Sequence, residues 1–126
     1  MAIYFTTKEM TKSQTAESYH IDNTPTEEAV ENLKKVMYIL DMVRVYIGKP
    51  IFINSGYRCK KLNEIVGGVQ KSMHTKGLAA DFRTEKEEDI NRMFEFLKEN
   101  QKEFKIIELI KYRNFIHMGV SETLKI

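Results

Sequence analysis

The chain has 126 residues, of which 42% are hydrophobic and 30% charged, a composition typical of one globular domain that folds without disulfide bonds. Its 20 basic and 18 acidic residues are spread along the chain and leave a net charge of +2, so the composition does not indicate a nucleic-acid-binding protein. Cys59 is the only cysteine, which excludes an internal disulfide framework and a zinc site built from several thiolates.

Neither a leader nor a membrane span is indicated by the sequence. Residues 1–10 lack the basic start and the apolar run of a signal peptide, and no stretch of about 18 successive residues is apolar. We therefore expect residues 1–126 to form a single monomeric domain that is made in the cytoplasm and does not insert into a membrane. If the protein acts outside the cell, it must leave by another route.

The first predicted elements are two short helices. Thr6 or Thr7 can cap a brief helix that Glu9 would complete, because a hydroxyl and a glutamate three residues apart can each satisfy a free N–H group. A second short helix is predicted from Ser13 to Tyr19. The pair Asp22-Asn23 then marks a turn.

The clearest predicted helix follows the run Thr24-Pro25-Thr26-Glu27, which reads as a capping box with proline at the first helical position. Apolar residues recur at three- and four-residue steps as far as Gly48, which predicts a long amphipathic helix with one face on the core. They are Val30, Leu33, Val36, Met37, Leu40, Val43 and Ile47. Pro50 to Asn54 then predicts a short buried strand, and Ser55 to Arg58 the turn that leaves it.

The middle of the chain predicts a helix, a strand and a second helix. Residues 60–66 are expected to form a brief helix that ends at the glycine pair 67 and 68. Residues 78–82 predict another short buried strand. Thr84 and Glu87 read as a second capping box, at the start of an amphipathic helix.

Two apolar segments close the chain, residues 104–112 and 115–120, and together they predict a β-hairpin. Helices come early, short strands come late, and only one stretch reads strand–helix–strand. This order predicts an α+β fold, in which helices pack on one face of a small, mainly antiparallel sheet.

The run from Ser72 to Asp81 places the imidazole of His74 and the carboxylate of Asp81 seven residues apart across Gly77. On a helix these groups would lie roughly 10 Å apart along the axis, too far for two ligands that each lie about 2 Å from one zinc ion. If both bind one metal, the chain must double back, and Gly77 is where a turn with positive φ is easiest. The pair alone is equally consistent with a loop histidine hydrogen-bonded to a carboxylate.

A third ligand would separate these interpretations, and His117 is the candidate. It lies in the apolar run from Phe115 to Gly119, where a neutral imidazole is costly to bury unless both ring nitrogens find partners. A core histidine satisfied by a backbone carbonyl is the alternative. Asp81 and His117 fall on neighbouring predicted strands, and two histidines with one carboxylate are a frequent catalytic zinc set.

The runs SGYRCKKLNEIVGGVQKSMHTKGLAADF and FIHMG closely resemble the D-alanyl-D-alanine carboxypeptidase-like zinc peptidases. These are cell-wall enzymes that include dipeptidases and phage endolysins, and they are related to the Hedgehog signalling domain. The resemblance implies that His74, Asp81 and His117 bind Zn²⁺. It also implies that Arg58 lies beside the metal in the oxyanion role, that Ser72 lines the substrate cleft, and that the substrate is a peptidoglycan peptide or a related D-amino-acid peptide. A solvated loop arginine and a serine that closes its own loop are the plainer alternatives for these two residues.

The chain departs from this family at the general base. The family enzymes use a glutamate near the last histidine to take a proton from the metal-bound water. In several branches it lies three residues before that histidine, where this chain has Asn114, and in others six residues before, where this chain has Lys111. Glu108 is the nearest acidic residue and the candidate base. A one-residue slip in the hairpin register would turn it to the other face, as a surface glutamate without a function.

The sequence therefore predicts a zinc metallopeptidase that cleaves an amide bond in peptidoglycan stem peptides, as a D,D-carboxypeptidase or an endolysin-type endopeptidase. The missing glutamate leaves a second hypothesis open. This is a zinc-binding but catalytically silent module that recognises the cell wall or a protein partner, for example as a component of a phage particle. Under either hypothesis the protein would act on the cell wall after export or in association with a phage.

Overall fold

Five α-helices and four β-strands form along residues 2–126, the part of the chain that the computed structural model describes. The helices are α1 (Thr7–Thr11), α2 (Gln14–Ser18), α3 (Glu27–Ile47), α4 (Lys60–Ile65) and α5 (Glu88–Glu99). The strands are β1 (Phe52–Ser55), β2 (Ala79–Arg83), β3 (Ile106–Lys111) and β4 (Ile116–Val120), and a 3-10 helix, Met73–Lys76, precedes β2. The strands lie in the order β1-β2-β4-β3 and every neighbouring pair is antiparallel, which confirms the predicted α+β class.

The hydrophobic core lies between the sheet and the helices α3 and α5, which pack on each other. Side chains alternate along β2 and β4, so that Phe82 and Met118 are fully buried on the helix side. Burying such a side chain contributes about 1.5–3 kcal/mol. The same alternation turns Asp81 and His117 to the opposite side of the sheet, called the site face below. The core also contains Leu33, Val36, Leu40 and Val43 of α3 and Met93 and Leu97 of α5.

The predicted capping box over residues 24–27 is wrong, because α3 uses a later cap. Thr26 is the N-cap, and its hydroxyl accepts a hydrogen bond from Ala29 N at 3.1 Å. Thr24 N instead donates to Asp22 Oδ1 at 3.0 Å, which closes the turn before the helix. The helix ends at Gly48, with φ 70°, as predicted. Neither α3 nor any other helix of residues 2–126 combines the length and the apolar character needed to cross a bilayer.

The second predicted capping box, Thr84 with Glu87, is also wrong. Helix α5 begins at Glu88, and Glu87 before it already has helical geometry and makes no side-chain capping bond. Thr84 donates its hydroxyl to Lys86 O at 3.0 Å, so it closes a turn after β2 and does not cap the helix. In both boxes a nearby acceptor competes for the hydroxyl that the pattern assigns to the helix.

Strand β1 lies at the edge of the sheet. The prediction of a buried strand over residues 50–54 is wrong, because the strand is partly exposed and ends one residue later. The strand runs to Ser55, and Phe52 is 43% exposed because it pairs with Arg83 on the site face, away from the core helices. The guanidinium of Arg83 lies 5.1 Å from the centre of the Phe52 ring. The pairing with β2 shifts between Ile53 and Ser55, which places Ser55 opposite Asp81.

The short helices and the hairpin follow the prediction. The hydroxyls of Thr6 and Ser13 cap α1 and α2, each accepting a 3.1 Å bond from the backbone N–H three residues on. Strands β3 and β4 pair as an antiparallel hairpin. Strand β3 begins at Ile106, later than the apolar run suggests, because Lys105 has φ 51° and ends a turn.

We expect Gly77→Ala to lower the free energy of unfolding by about 2–5 kcal/mol. Gly77 has φ 75°, and a Cβ there would lie 2.5 Å from the carbonyl oxygen of Ala29 on α3. The left-handed conformation costs alanine about 1–2 kcal/mol, and the clash with backbone adds about 1–3 kcal/mol. Gly48→Ala is the matched control, since Gly48 has φ 70° but no atom within 4 Å of its Cβ position. Urea unfolding measures both variants, and equal losses would contradict the role of the Ala29 contact.

Candidate metal centre

His74 is held in the 3-10 helix rather than in the open loop that the sequence suggests. Ser72 caps this helix, because its Oγ accepts a hydrogen bond from His74 N at 3.2 Å. Gly77 ends it with φ 75°, so the predicted turn with positive φ is confirmed. Asn32 of α3 donates its Nδ2–H to Lys76 O at 2.9 Å and ties the turn to the core. His74 is therefore buried and fixed against α3, at 2% exposure.

Asp81 and His117 lie side by side on the site face. They are paired residues of β2 and β4, and His117 Nδ1 lies 2.7 Å from Asp81 Oδ1. His74 Nε2 lies 3.3 Å from the same oxygen. One ligand atom from each of the three side chains lies within 4.8 Å of the other two. The structure thus brings together the three residues that the sequence proposes as ligands, and their binding of a metal stays a prediction.

The backbone sets the tautomer of His74. Its Nδ1 lies 2.7 Å from Gly56 O, and because a carbonyl only accepts, Nδ1 carries the proton and donates it. Nε2 is left with a bare lone pair, is buried, and makes no hydrogen bond with any residue of the described chain. The 3.3 Å approach to Asp81 is therefore a contact between two acceptors. A cation between them would satisfy both, so this donor set fits a metal ion.

His117 lies between two carboxylates. Its Nδ1 faces Asp81 Oδ1 at 2.7 Å, and its Nε2 faces Glu108 Oε1 at 2.8 Å. The hydrogen bond to Asp81 raises the pKa of His117, burial lowers it by less, and the bond to Glu108 raises it further. Burial raises the pKa of Asp81, but the neighbouring histidines, chiefly through the hydrogen bond from His117, outweigh it and hold that pKa well below its usual range. Both shifts favour the charged forms of His117 and Asp81.

We expect the metal-free protein to be most stable between about pH 4 and about pH 6.5. The pKa of Asp81 is depressed by folding, so its contribution is present above the unfolded pKa and is lost as the pH falls towards the folded one. The pKa of His117 is raised, so its contribution is present below the unfolded pKa and is lost as the pH rises through the folded one. Thermal unfolding from well below about pH 4 to well above about pH 6.5 measures both losses. The alkaline loss should disappear in His117→Gln, and its persistence there would assign it to another group.

Arg58 lies beside the cluster with its guanidinium held at three points. Nε donates to Ser55 Oγ at 3.0 Å, Nη1 donates to Asn63 Oδ1 at 2.9 Å, and Nη2 lies 3.7 Å from Asp81 Oδ2. The side chain is 14% exposed, which excludes the solvated loop arginine. Burial lowers the pKa of Arg58 and Asp81 partly restores it, and an arginine stays charged under such a shift.

Asn63 is a site residue that the sequence did not single out. It is 2% exposed, and both ends of its amide are engaged, since Oδ1 accepts from Arg58 and Nδ2 donates to Val69 O at 2.8 Å. A buried amide of this kind fixes the groups that it bonds. The available signal was a polar residue on the inner side of a short helix, just before a glycine pair.

Glu108 reaches the site face because of the register of the β3–β4 hairpin. Glu108 pairs with Gly119 and Ile110 pairs with His117, so these residues share one face of the sheet. The side chain of Glu108 is 45% exposed, yet its Oε1 lies 2.8 Å from His117 Nε2. Glu108 therefore does not lie on the other face of the sheet, and its role as the base stays a prediction.

The two positions where the family resemblance leads us to expect a glutamate lie outside the centre. Lys111 pairs with Ile116 and so points away from the site face. Its Nζ donates to Asn91 Oδ1 at 2.6 Å and lies 5.4 Å from the centre of the Phe94 ring. Asn114 is exposed in the turn between β3 and β4. Glu108 is therefore the acidic residue, besides Asp81, that lines the cleft over the cluster.

That cleft has a volume of about 450 Å³ and opens directly onto the three clustered residues. Arg58 and Ser72 line it on one side, and an apolar wall from the hairpin lines it on the other. In this wall the rings of Tyr112 and Phe115 stack with their centroids 4.4 Å apart, next to Ile110. The cleft can therefore hold a chain that carries both polar and apolar groups.

A larger cleft of about 750 Å³ shares Arg58 with the first. It lies between β1 and the segment that joins α1 to α2, and its lining includes Lys12 and Arg83 as well as Glu9. Phe52 and Arg83 are paired residues of β1 and β2, on the same face as Asp81. The two clefts therefore follow one face of the sheet and meet at Arg58.

Comparison with known protein families agrees with this geometry. The model of the family described as peptidase M15 matches residues 3–119, a span that contains all three clustered residues, Arg58 and Glu108. A search of curated proteins finds no match. The family match covers most of the chain, as the resemblance in the sequence implies.

Proposed function

We propose, because this chain belongs to the peptidase M15 family, that it is a zinc-dependent peptidase that cleaves an amide bond in peptidoglycan stem peptides or a related D-amino-acid peptide. The observation that carries the proposal is the buried Nε2 of His74, which makes no hydrogen bond within the described chain and faces the carboxylate of Asp81. A buried nitrogen without a hydrogen-bond partner lowers the stability of a protein unless a bound cation interacts with its lone pair.

Three side chains would hold the zinc ion: His74 through Nε2, Asp81 through its carboxylate, and His117 through Nδ1. Two imidazoles and one carboxylate are a donor set of catalytic zinc sites, in which a fourth position is left for water. When bound, zinc would polarise the scissile carbonyl and lower the pKa of that water. The other nitrogen of each ring is already engaged by Gly56 O or by Glu108, which fixes the ring orientation.

Arg58 is the candidate for stabilising negative charge on the carbonyl oxygen. Its guanidinium is held by Ser55 and Asn63 before substrate arrives, so little ordering is needed when charge develops. A planar guanidinium also keeps its charge in a partly buried cleft. Ser72 lines the same cleft, and although its Oγ accepts a bond from His74 N, its hydroxyl hydrogen can be donated to substrate.

Glu108 is the candidate proton acceptor. Its Oε1 accepts the hydrogen bond from His117, while its Oε2 makes no hydrogen bond to residues 2–126. We propose that this carboxylate takes a proton from the attacking water as the new C–O bond forms. It then returns the proton to the leaving nitrogen as the C–N bond breaks, so one proton is taken and one is given back.

The clefts favour an extended acidic peptide as substrate. Peptidoglycan stem peptides are short chains that carry carboxylates, and Lys12 and Arg83 are cations in the larger cleft, opposed there by the single carboxylate of Glu9. In the smaller cleft the apolar wall beside His117 suits a methyl side chain such as that of D-alanine. Both features support the proposed substrate class.

The test is digestion of purified peptidoglycan from several wall chemotypes by the zinc-loaded protein, with products identified by mass spectrometry. We expect release of D-alanine if the enzyme acts at chain ends, and of shortened or uncrosslinked peptides if it acts within chains. Asp81→Ala is the inactive control, since it removes the carboxylate that both histidines face. No product from any chemotype would overturn the proposed activity.

A catalytically silent zinc-binding module is the second candidate. The observation that favours it is the presence of Lys111 and Asn114 at the positions where related enzymes carry a glutamate. Such a module would bind peptidoglycan and sediment with it, retain zinc, and release no product. Release of any peptide or D-alanine that depends on Asp81 would exclude it.

A further inference from the structure

We infer that Glu108 positions the ring of His117 for metal binding, by accepting its Nε2–H so that Nδ1 faces Asp81 and His74. This inference rests on the proposed function, because it concerns the proposed ligand set. An imidazole offers one nitrogen to a metal, and the partner of the other nitrogen fixes the tautomer and the ring orientation. Three features of the hairpin lead to this role.

The first feature is an irregularity in strand β3. Its pairing with β4 shifts between Ile106, which pairs with Val120 and is buried in the core, and Glu108, which pairs with Gly119. Ile107 is the extra residue and is 60% exposed. Glu108 keeps the regular register that Ile110 has with His117, and this register places its carboxylate on the site face. The bulge lies beyond Glu108 and lets Ile106 turn into the core without changing that register.

The second feature is the space above Gly119. A Cβ at this position would lie 2.8 Å from Glu108 Oε1, 3.0 Å from Glu108 Cβ and 2.8 Å from Met73 Sδ. Gly119 does not have a positive φ, so its backbone conformation does not require glycine. Glycine is needed here because it has no side chain. The carboxylate of Glu108 can therefore pass over Gly119 and reach His117.

The third feature is the matching arrangement of the two histidines. The ring of His117 has Asp81 at 2.7 Å on one side and Glu108 at 2.8 Å on the other. In His74, Nδ1 is bonded to Gly56 O at 2.7 Å and Nε2 faces Asp81. Each ring therefore has one nitrogen anchored outside the cluster and one directed into it. Glu108 does for His117 what a backbone carbonyl does for His74.

The test is the zinc affinity of the full chain, measured by competition with a chelator of known affinity. We expect Glu108→Ala to weaken zinc binding about 10–100-fold, the usual effect of losing such a partner. We expect Gly119→Ala to weaken it similarly, because the added methyl group displaces the carboxylate. The zinc affinity of Glu108→Gln should stay closer to that of the wild type, since the amide oxygen still accepts a hydrogen bond from the Nε2–H of His117. Glu103→Ala, an exposed glutamate just before β3, is the matched control and should change nothing.

The Nε2-bound proton of His117 gives a second measurement that a general loss of folding would not mimic. In the zinc-loaded protein its NMR signal should be protected from exchange, lost in Glu108→Ala and kept in Glu108→Gln. Unchanged zinc affinity in Glu108→Ala, whatever Gly119→Ala does, would overturn the inference. If the affinities follow the expected pattern but no peptidoglycan is cut, the proposed activity fails and the inference stands. A wild-type chain that binds no zinc would overturn both.

Discussion

His74→Ala is expected to abolish stoichiometric zinc binding and all peptidase activity above background. The zinc affinity should fall by more than about 100-fold. That is the largest usual effect of losing a hydrogen-bond partner of a ligand, and here the ligand itself is lost. His74 supplies the buried nitrogen that has no other partner among residues 2–126, so its loss removes one of the three proposed ligands. The metal-free variant should also lose about 1–3 kcal/mol of stability, because Gly56 O is left without its donor.

Metal analysis after dialysis, with activity measured on the same samples, checks this expectation. His20→Asn is the matched control, because His20 is exposed and has φ 54°, a conformation that asparagine tolerates. The control should bind one equivalent of zinc like the wild type. Stoichiometric zinc in His74→Ala would mean that the metal is held by other residues.

Glu108→Gln is expected to lower kcat by about 10²–10⁴-fold, the usual contribution of a general acid–base group. Glutamine has the same shape and can still accept the Nε2–H of His117, but its amide cannot take a proton from water. Zinc content should therefore stay near one equivalent, so the loss would lie in the chemical step. Steady-state kinetics on zinc-loaded protein, with Glu103→Gln as control, measures the effect.

Comparing alanine and glutamine at position 108 separates the two roles proposed for Glu108. Positioning of His117 depends on a hydrogen-bond acceptor, so zinc affinity should fall in the alanine variant and be largely kept in the glutamine variant. Proton transfer depends on a carboxylate, so turnover should fall in both. A glutamine variant with nearly normal turnover would remove Glu108 from the list of bases and leave its positioning role intact.

The parts of the fold that follow from side-chain periodicity could be predicted from the sequence. The repeat of apolar residues predicts α3, and short apolar runs predict the two strands that carry Asp81 and His117. The caps of α3 and α5 could not be predicted, since Thr24 and Thr84 have local hydrogen-bond partners that compete with the helix. The exposure of Phe52 depends on which face of the sheet the helices cover, which no local pattern records.

The candidate site was predictable to a similar extent. The spacing of His74, Gly77 and Asp81 requires a chain that doubles back, and the structure has this turn. The contact of Glu108 with His117 was not predictable, because it depends on the register of the β3–β4 hairpin, which the sequence leaves open. The bond from Asn63 to Arg58 likewise arises only after α4 has folded against the cleft.

The outward orientation of Lys111 restricts how this hairpin could evolve. A Lys111→Glu change alone would place the new carboxylate beside Asn91 and Phe94, not in the cleft. Residues 108 and 111 are an odd number of positions apart, so a regular strand cannot direct both to one side. A one-residue deletion in the turn would expose a glutamate at 111 to the cleft and withdraw Glu108 in the same step. On a regular strand, carboxylates at positions 108 and 111 therefore cannot both face the cleft, and this chain carries the one at 108.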